Sequence, residues 1–234
     1  MIMKDLSTKE TCVKNLDIAS SVPEVMRKTF VKMTIGLLIT ALVSFLVVSS
    51  PAAIAFIAAH MGVFWALFVV ELILVICLSA RIESLNPKTA KLIFYVYSAV
   101  NGLTLAPIFL IYTPVSITMA FVITAVMFGV TALYGYVTKK DLSGWGSFLF
   151  MALIGLIICL LVQFIWHNTM FEFLVSCAAV IIFVGLTAWD TQMIKELTKD
   201  GMLNPDNIST FGALSLYLDF INLFLHVLKL LGNK

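Results

Sequence analysis

Seven long apolar runs dominate the sequence, and each comes close to the length that crosses a bilayer as one helix. An α-helix needs about 20 apolar residues to span the hydrocarbon core. The runs cover residues 33–56, 62–80, 92–112, 115–137, 148–165, 173–189 and 211–228. They lack the two-residue alternation of membrane β-barrel strands. The sequence therefore predicts an all-α, polytopic membrane protein with seven transmembrane helices.

The composition excludes the main alternatives to a membrane protein. Of the 234 residues, 61% are hydrophobic and only 12% are charged, about half the charged share of a soluble domain. A soluble fold of this size cannot bury so much apolar surface. A nucleic-acid partner is also excluded, because the net charge is +2 and the basic residues form no dense patch. We expect the lipid bilayer to surround most of the chain.

Positive charge follows alternate connections between the runs. Residues 1–32 form the only long polar stretch, so we predict a polar N-terminal tail over 1–32 and a transmembrane domain over 33–234. The tail carries six Lys/Arg residues, the connections after the second, fourth and sixth runs carry seven more, and the other three connections carry none. The positive-inside rule then places the N-terminus in the cytoplasm and, with seven spans, the C-terminus outside. The last run is the most polar, and a re-entrant last run would return the C-terminus to the cytoplasm.

Prolines mark where the runs break. Pro51, Pro87 and Pro114 lie at or near the ends of runs, whereas Pro107 lies inside the third run. Proline has no backbone N–H and its ring clashes with the preceding turn. We therefore predict a kink at Pro107.

Polar side chains inside the apolar runs are the candidates for function. An ionisable group in the bilayer is costly unless it faces a partner or water. The candidates are Glu71 in the second run, Asp190 after the sixth and Asp219 in the seventh. The neutral residues Asn101 and Gln163 are interpreted as interhelical hydrogen-bonding groups.

The seventh run carries a stripe of polar residues. Ser215, Asp219, Asn222, His226 and Lys229 follow steps of four, three, four and three residues, which confines them to roughly 80° of a helix surface. The stripe should face the bundle interior or a water-filled path, although residues that only hold the bundle together would give the same pattern.

The depth of Asp190 is a separate question. It ends the sixth run, whereas Asp219 lies well inside the seventh, so a meeting of the two requires the sixth helix to continue toward Leu197 or the seventh helix to sit low. On position alone, Asp190 could instead be a helix-end residue at the membrane surface.

Two aspartate-bearing strings resemble the Bax inhibitor family of small membrane proteins, in particular its bacterial members. They are LTAWDTQ (186–192) and GALSLYLDFINLFL (212–225), and SAVNGLTLAPIF, LYGYVTKKDLSGWG and FLFMALIGL fit the same pattern. The resemblance covers residues 28–232. It implies a bundle around a central seventh helix, a bacterial cytoplasmic (inner) membrane as the location, and a pH-sensitive calcium leak.

The same resemblance implies roles for individual residues. The paired aspartates of the family match Asp190 and Asp219, which would act as pH sensor, ion gate and calcium ligands. Its acidic residue in the second span matches Glu71, and a basic residue ten positions after the second aspartate matches Lys229. Arg81 is matched to a basic residue that touches the aspartates in some members. Calcium is then a permeant ion, and no cofactor is expected.

Electrostatics suggests how such a pair would work. Two carboxylates about 4 Å apart repel by about 4 kcal/mol at an effective dielectric constant near 20, so one shared proton is favoured near neutral pH. We expect the shared proton to hold the sixth and seventh helices together, and its loss or replacement by calcium to open the path. Glu71 and Lys229 are expected to form an ion pair elsewhere on the path, and His226 either adds proton sensitivity or simply packs.

Two other classes of function are alternatives to the calcium leak. An intramembrane aspartyl protease would need a GxGD string, which is absent, so we do not expect an enzyme. The other hypothesis is a membrane-embedded modulator that acts on a membrane protease or another membrane partner through its polar N-terminal tail. Removal of the tail discriminates the two hypotheses, because a channel should keep its flux and a modulator should lose its effect.

Overall fold

The computed structural model describes residues 2–166 and 168–232, without the side chains of residues 2–20, 57, 58, 61, 64 and 164. Over these residues the chain is helical and contains no strand. The helices are α1 (Ile2–Val48), α2 (Pro51–Ala59), α3 (Met61–Arg81), α4 (Pro87–Leu105), α5 (Ile108–Ile111), α6 (Pro114–Val137), α7 (Ser143–Ile165), α8 (Thr169–Asp200) and α9 (Pro205–Leu231).

Six segments of the described chain are long and apolar enough to cross a membrane. They lie in α1, α4 with α5, α6, α7, α8 and α9. The all-α membrane fold is therefore confirmed, but the count of seven spans is not, because α3 is not among the six. α3 is the counterpart of the second predicted span and is 21 residues long.

Proline sets several of the helix boundaries. α1 ends at Val48 and α2 begins at Pro51, so the first predicted run, which continued to residue 56, wrongly joined two helices. At Pro107 the chain does more than kink, since α4 ends at Leu105 and α5 begins at Ile108. In α4, α6 and α9 a proline occupies the first turn, where its missing N–H leaves no internal hydrogen bond unmade.

The last helix, α9, lies at the centre of the bundle. It packs against α1, α4, α6 and α8, and 67% of its most apolar window is buried, compared with 17–33% for the other five candidate spans. Leu216, Tyr217 and Leu223 of α9 are completely buried. This confirms the central position of the last helix that the family resemblance implied.

Part of the predicted N-terminal tail belongs to the bundle. Val22, Val25, Met26 and Thr29 of α1 are buried, although they lie before the predicted boundary at residue 32. The division of the chain at that residue remains a prediction, but among the described side chains the packing of α1 extends back at least to Val22.

Glycines allow the helices around α8 to approach closely. A Cβ atom on Gly135 of α6 would overlap the backbone carbonyl of Ala188, and one on Gly146 of α7 would overlap the ring of Trp189. Small residues let membrane helices pack backbone to backbone where no hydrophobic effect drives association. Both contacts lie within two residues of Asp190, so they fix its surroundings.

We predict that Gly135→Ala destabilises the bundle, because the new methyl group meets the backbone of α8 and both helices must shift. Overpacking of this kind costs about 1–3 kcal/mol. Thermal unfolding of the purified protein in detergent measures the effect. Gly129→Ala is the matched control, since a Cβ at Gly129 in the same helix meets no atom within 4 Å. Equal stability of the two variants would contradict the close-contact interpretation.

Candidate functional site

Asp190 and Asp219 meet on neighbouring helices in the bundle interior. α8 continues to Asp200, ten residues beyond Asp190, and α9 already begins at Pro205. This extension resolves the difference in depth that the shorter predicted runs created. The chain reverses direction at Gly201, whose φ of 64° ends α8 in the left-handed region that glycine adopts without steric cost. The two carboxyl groups lie within hydrogen-bonding distance of each other.

The pair is deeply buried and lacks a basic partner. Asp190 is 7% exposed and Asp219 is 4% exposed. The Thr187 hydroxyl lies beside Asp219 but donates its hydrogen bond to the Phe183 carbonyl at 2.8 Å. The Asp219 Oδ2 atom is buried with no hydrogen-bond donor among the described residues. No lysine or arginine of the described chain forms an ion pair with either group. A buried charge of this kind needs a partner, and here a proton shared by the carboxyls or a bound cation would supply it.

The basic residues assigned to this region lie elsewhere. Arg81 is the last residue of α3 and its side chain is exposed, as is that of Lys229 near the end of α9. The predicted ion pair between Glu71 and Lys229 is not formed. Glu71 instead accepts a hydrogen bond of 2.6 Å from Thr104 Oγ1, because it faces α4 rather than the exposed end of α9. The contact of Arg81 with the aspartates is likewise not formed.

The residues of the polar stripe of α9 have different contacts. His226 is buried beside α8, with Nδ1 3.3 Å from Ser176 Oγ and its ring stacked on Phe183. Asn222 donates a 2.8 Å hydrogen bond to the Leu218 carbonyl of its own helix. Among the stripe residues, Asp219 and His226 therefore face α8.

Sequence reasoning missed Thr187 and Tyr217. Thr187 lies three residues before Asp190 and therefore on the same helix face, a spacing that could have revealed it. Tyr217 lies two residues before Asp219 and therefore on the other side of α9. Its only sequence signal is that a buried tyrosine hydroxyl needs a hydrogen-bond partner.

One end of the bundle is tied by side chains of α8 and α9. We call it the loop end, defined by the connections at residues 82–86, 138–142 and 201–204. Gln192 accepts from the Leu142 amide at 2.7 Å and donates to the Lys140 carbonyl at 2.8 Å. Asn207 donates to the carbonyls of Ile82 and Leu85 at 2.8 and 3.0 Å. The two side chains thus fasten the other two connections to the α8–α9 hairpin.

The first turn of α9 is fastened at the same end. The ammonium group of Lys32 donates to the Asp206 carbonyl at 2.9 Å and to the hydroxyls of Ser209 and Thr210 at 2.7 and 2.8 Å. Lys28 adds an ion pair of 3.2 Å with the Asp206 carboxylate. α1 is therefore held against the start of α9.

A family model described as "Inhibitor of apoptosis-promoting Bax1" matches residues 22–234. The chain belongs to the Bax inhibitor family. The match begins at Val22, a buried residue of α1, and includes both aspartate-bearing helices, so the resemblance seen in the sequence is confirmed.

Bacterial relatives match nearly the whole chain. "Inner membrane protein YbhL" of Escherichia coli K12 is 45% identical over 214 residues, which cover 89% of this chain and 91% of that protein. A protein of Borreliella burgdorferi is 39% identical with the same coverage, and YrjE of Lactococcus lactis is 36% identical over 88% of each chain.

The described residues contain no group of three or more His, Cys, Asp or Glu side chains able to hold a metal ion. Asp190 and Asp219 would offer a cation two carboxyl groups. Calcium takes six to eight oxygen ligands, so most of its shell would have to come from water or backbone.

We predict that Gln192→Leu loosens the connection between α6 and α7, because it removes both hydrogen bonds to the backbone at residues 140–142. Hydrogen–deuterium exchange of the Leu142 amide should rise about five- to tenfold, as expected for the loss of about 1 kcal/mol per hydrogen bond. Gln163→Leu is the control, since the Gln163 Oε1 atom is buried without a partner in the described structure. Unchanged exchange in the Gln192 variant would show that the two hydrogen bonds of Gln192 do not hold this connection.

Proposed function

We propose that the chain is a pH-sensitive, calcium-permeable leak channel whose gate is the carboxyl pair Asp190 and Asp219. The observation that carries the proposal is the buried Asp219 Oδ2 atom, which has no donor in the described structure and lies beside a second carboxyl group. The name of the Escherichia coli relative supports a bacterial inner membrane. The distribution of Lys and Arg supports a cytoplasmic N-terminus.

The closed state rests on one shared proton. Two ionised carboxylates in contact repel by about 4 kcal/mol at an effective dielectric constant near 20, so the pair binds and releases protons as a unit. With one proton present, Asp190 and Asp219 hydrogen bond to each other and hold α8 against α9. The Thr187 hydroxyl lies beside Asp219 at this contact.

Opening follows from loss of the proton. The pair then carries two negative charges without a basic partner, which pushes α8 and α9 apart and attracts a divalent cation in place of the proton. Calcium suits this position because it prefers carboxylate and carbonyl oxygens. Along α9, Asn222 and the α8-facing His226 lie between Asp219 and the exposed Lys229, and we assign these three residues to the supporting path.

Glu71 and Arg81 lie away from the aspartate pair. Glu71 lies in a separate polar cluster between α3 and α4, and Arg81 ends α3 near the loop end. Neither touches the pair, so any effect of these residues on flux must act through helix positions.

We predict that Asp219→Asn flattens the pH dependence of calcium flux. In the wild-type chain, flux should fall as the medium is acidified and the pair gains its proton, by up to about tenfold per pH unit for a single bound proton. The variant keeps the size of the side chain but removes the second charge. Calcium uptake into reconstituted vesicles at a series of pH values measures the effect.

Asp200→Asn is the matched control for this experiment, because Asp200 is an exposed aspartate at the end of α8. Its pH profile should match that of the wild-type chain. If the Asp219 variant also kept the wild-type profile, the carboxyl pair would have no part in gating.

The alternative function, modulation of a membrane protease or another membrane partner, depends on the N-terminal segment. We predict that deletion of residues 1–20 leaves calcium flux within about twofold of wild type if the chain is a channel, whereas a modulator would lose its effect on its partner. The deletion must stop at Ser20, because Val22, Val25 and Met26 are buried in the bundle and their loss would destabilise it. Vesicle flux of the shortened chain, compared with the full chain at equal protein density, provides the measurement. Abolished flux with an intact fold would contradict the channel.

A further inference from the structure

A second buried acidic site lies on the other side of α9 from the aspartate pair. Glu71 of α3, Asn101 and Thr104 of α4, Tyr217 of α9 and Thr40 of α1 form one hydrogen-bonded group, which we call the Glu71 cluster. Tyr217 and Asp219 are separated by two helix positions, or about 200°. The cluster is therefore distinct from the proposed gate.

The hydrogen bonds of the cluster run toward Glu71. Thr104 Oγ1 donates to Glu71 Oε1 at 2.6 Å, and the Asn101 side chain lies beside the same carboxyl group. The Tyr217 hydroxyl donates to Asn101 Oδ1 at 2.9 Å, which leaves the Asn101 amide nitrogen to face Glu71. One orientation of Asn101 therefore satisfies both neighbours.

Two hydroxyl groups of the cluster have a choice of acceptor. Thr104 Oγ1 lies 2.6 Å from Glu71 Oε1 and 3.0 Å from the Asn101 backbone carbonyl. Thr40 Oγ1 lies 2.5 Å from the Tyr217 hydroxyl and 2.8 Å from the Ser98 carbonyl. A hydroxyl carries one proton and can accept others, so each threonine can turn to its second acceptor when its first neighbour changes from acceptor to donor.

Glu71 has no charged partner. α2 contributes no titratable residue, and the titratable side chains that face Glu71 from its neighbours are Tyr97 of α4 and Tyr217 of α9. No described lysine, arginine or histidine forms an ion pair with it. Because Glu71 is 8% exposed and Tyr217 is fully buried, exchange with the surroundings would occur at the Glu71 end.

We infer that Glu71 is a second proton-binding site of the bundle, in which Thr104 turns between Glu71 Oε1 and the Asn101 carbonyl as the proton arrives and leaves. The ionised carboxyl accepts from Thr104 and Asn101. The protonated carboxyl donates a hydrogen bond to Thr104 Oγ1, and the Thr104 hydroxyl donates its own hydrogen bond to the Asn101 carbonyl. Each proton in both states keeps an acceptor, so neither state leaves a buried donor unpaired.

Tyr217 connects this site to α1. While Glu71 is ionised it fixes the Asn101 amide, so that Asn101 Oδ1 accepts a hydrogen bond from Tyr217 and the Thr40 hydroxyl can donate to Tyr217. Protonation of Glu71 weakens its hold on Asn101, and Tyr217 can then donate to Thr40, which donates in turn to the Ser98 carbonyl. Tyr217 is a positioning residue in this arrangement, because it acts on Glu71 only through Asn101.

Infrared difference spectroscopy between acidic and alkaline pH tests the site on the full-length protein in lipid nanodiscs. A protonated carboxylic acid has a carbonyl stretching band that the ionised group lacks. In an Asp190→Asn, Asp219→Asn background we expect a pH-dependent band that Glu71→Gln abolishes. The same comparison in the wild-type background, as the difference between chains with and without Glu71→Gln, gives the answer even if the double variant does not fold.

The neighbours should move the midpoint of this band. Thr104→Val removes a donor to the carboxylate and should raise the midpoint by about one pH unit, whereas Thr104→Ser should keep the wild-type midpoint. Tyr217→Phe should also raise it, because Asn101 then becomes a weaker donor. The controls are Thr118→Val, whose hydroxyl bonds only within its own helix, and Tyr95→Phe, whose hydroxyl is buried without a partner in the described structure.

The inference is overturned if Glu71→Gln removes no pH-dependent band, or if Thr104→Val moves the midpoint no more than Thr118→Val does. The result is separate from the calcium experiment. A titrating Glu71 with a flux that ignores pH would refute the proposed gate and leave this site standing, and the reverse outcome would do the opposite.

Discussion

Burial of the polar side chains of α9 is the constraint on which the rest of the structure depends. The helix is surrounded by four others, so its hydroxyl, imidazole and carboxyl groups must find partners within the bundle. Tyr217 finds them on α1 and α4, His226 finds one on α8, and Asp219 meets another carboxyl group. The first two contacts fix where the neighbouring helices lie. In the third, the buried Asp219 Oδ2 atom has no donor among the described residues, which is why the proposed gate is placed there.

Much of the architecture could be predicted from the sequence because its signals are local. Length and apolar character locate six of the seven predicted spans, and Pro107 marks the break between α4 and α5. The break at Pro51 was missed, because the apolar run continues through it to residue 56. The central position of α9 was implied by the family resemblance. A polar stripe alone shows only that one face of the helix must be kept away from lipid. The extension of α8 to Asp200 was harder to see, because residues 190–200 are polar by composition and yet Thr191, Gln192 and Ile194 are buried against other helices.

The contacts of Glu71 show where sequence reasoning ends. Periodicity defines which residues share a face of one helix, but it does not fix the rotation of that helix against its neighbours. Glu71 could equally have faced Lys229, and only the packing of α3 on α4 directs it to Thr104 and Asn101. Thr104 and Tyr217 were overlooked for the same reason. A hydroxyl residue in an apolar helix looks unremarkable until a buried partner is placed beside it.

The fastening of the loop end by Gln192, Asn207 and Lys32 has a mechanical consequence. Two helices that are fixed to each other at one end can separate most at the opposite end. Any spreading of α8 from α9 would then be greatest on the far side of the aspartates, where α7 leads into α8 and where α9 ends. Water would enter first from that side, through a gap between α8 and α9 that narrows toward the carboxyl pair.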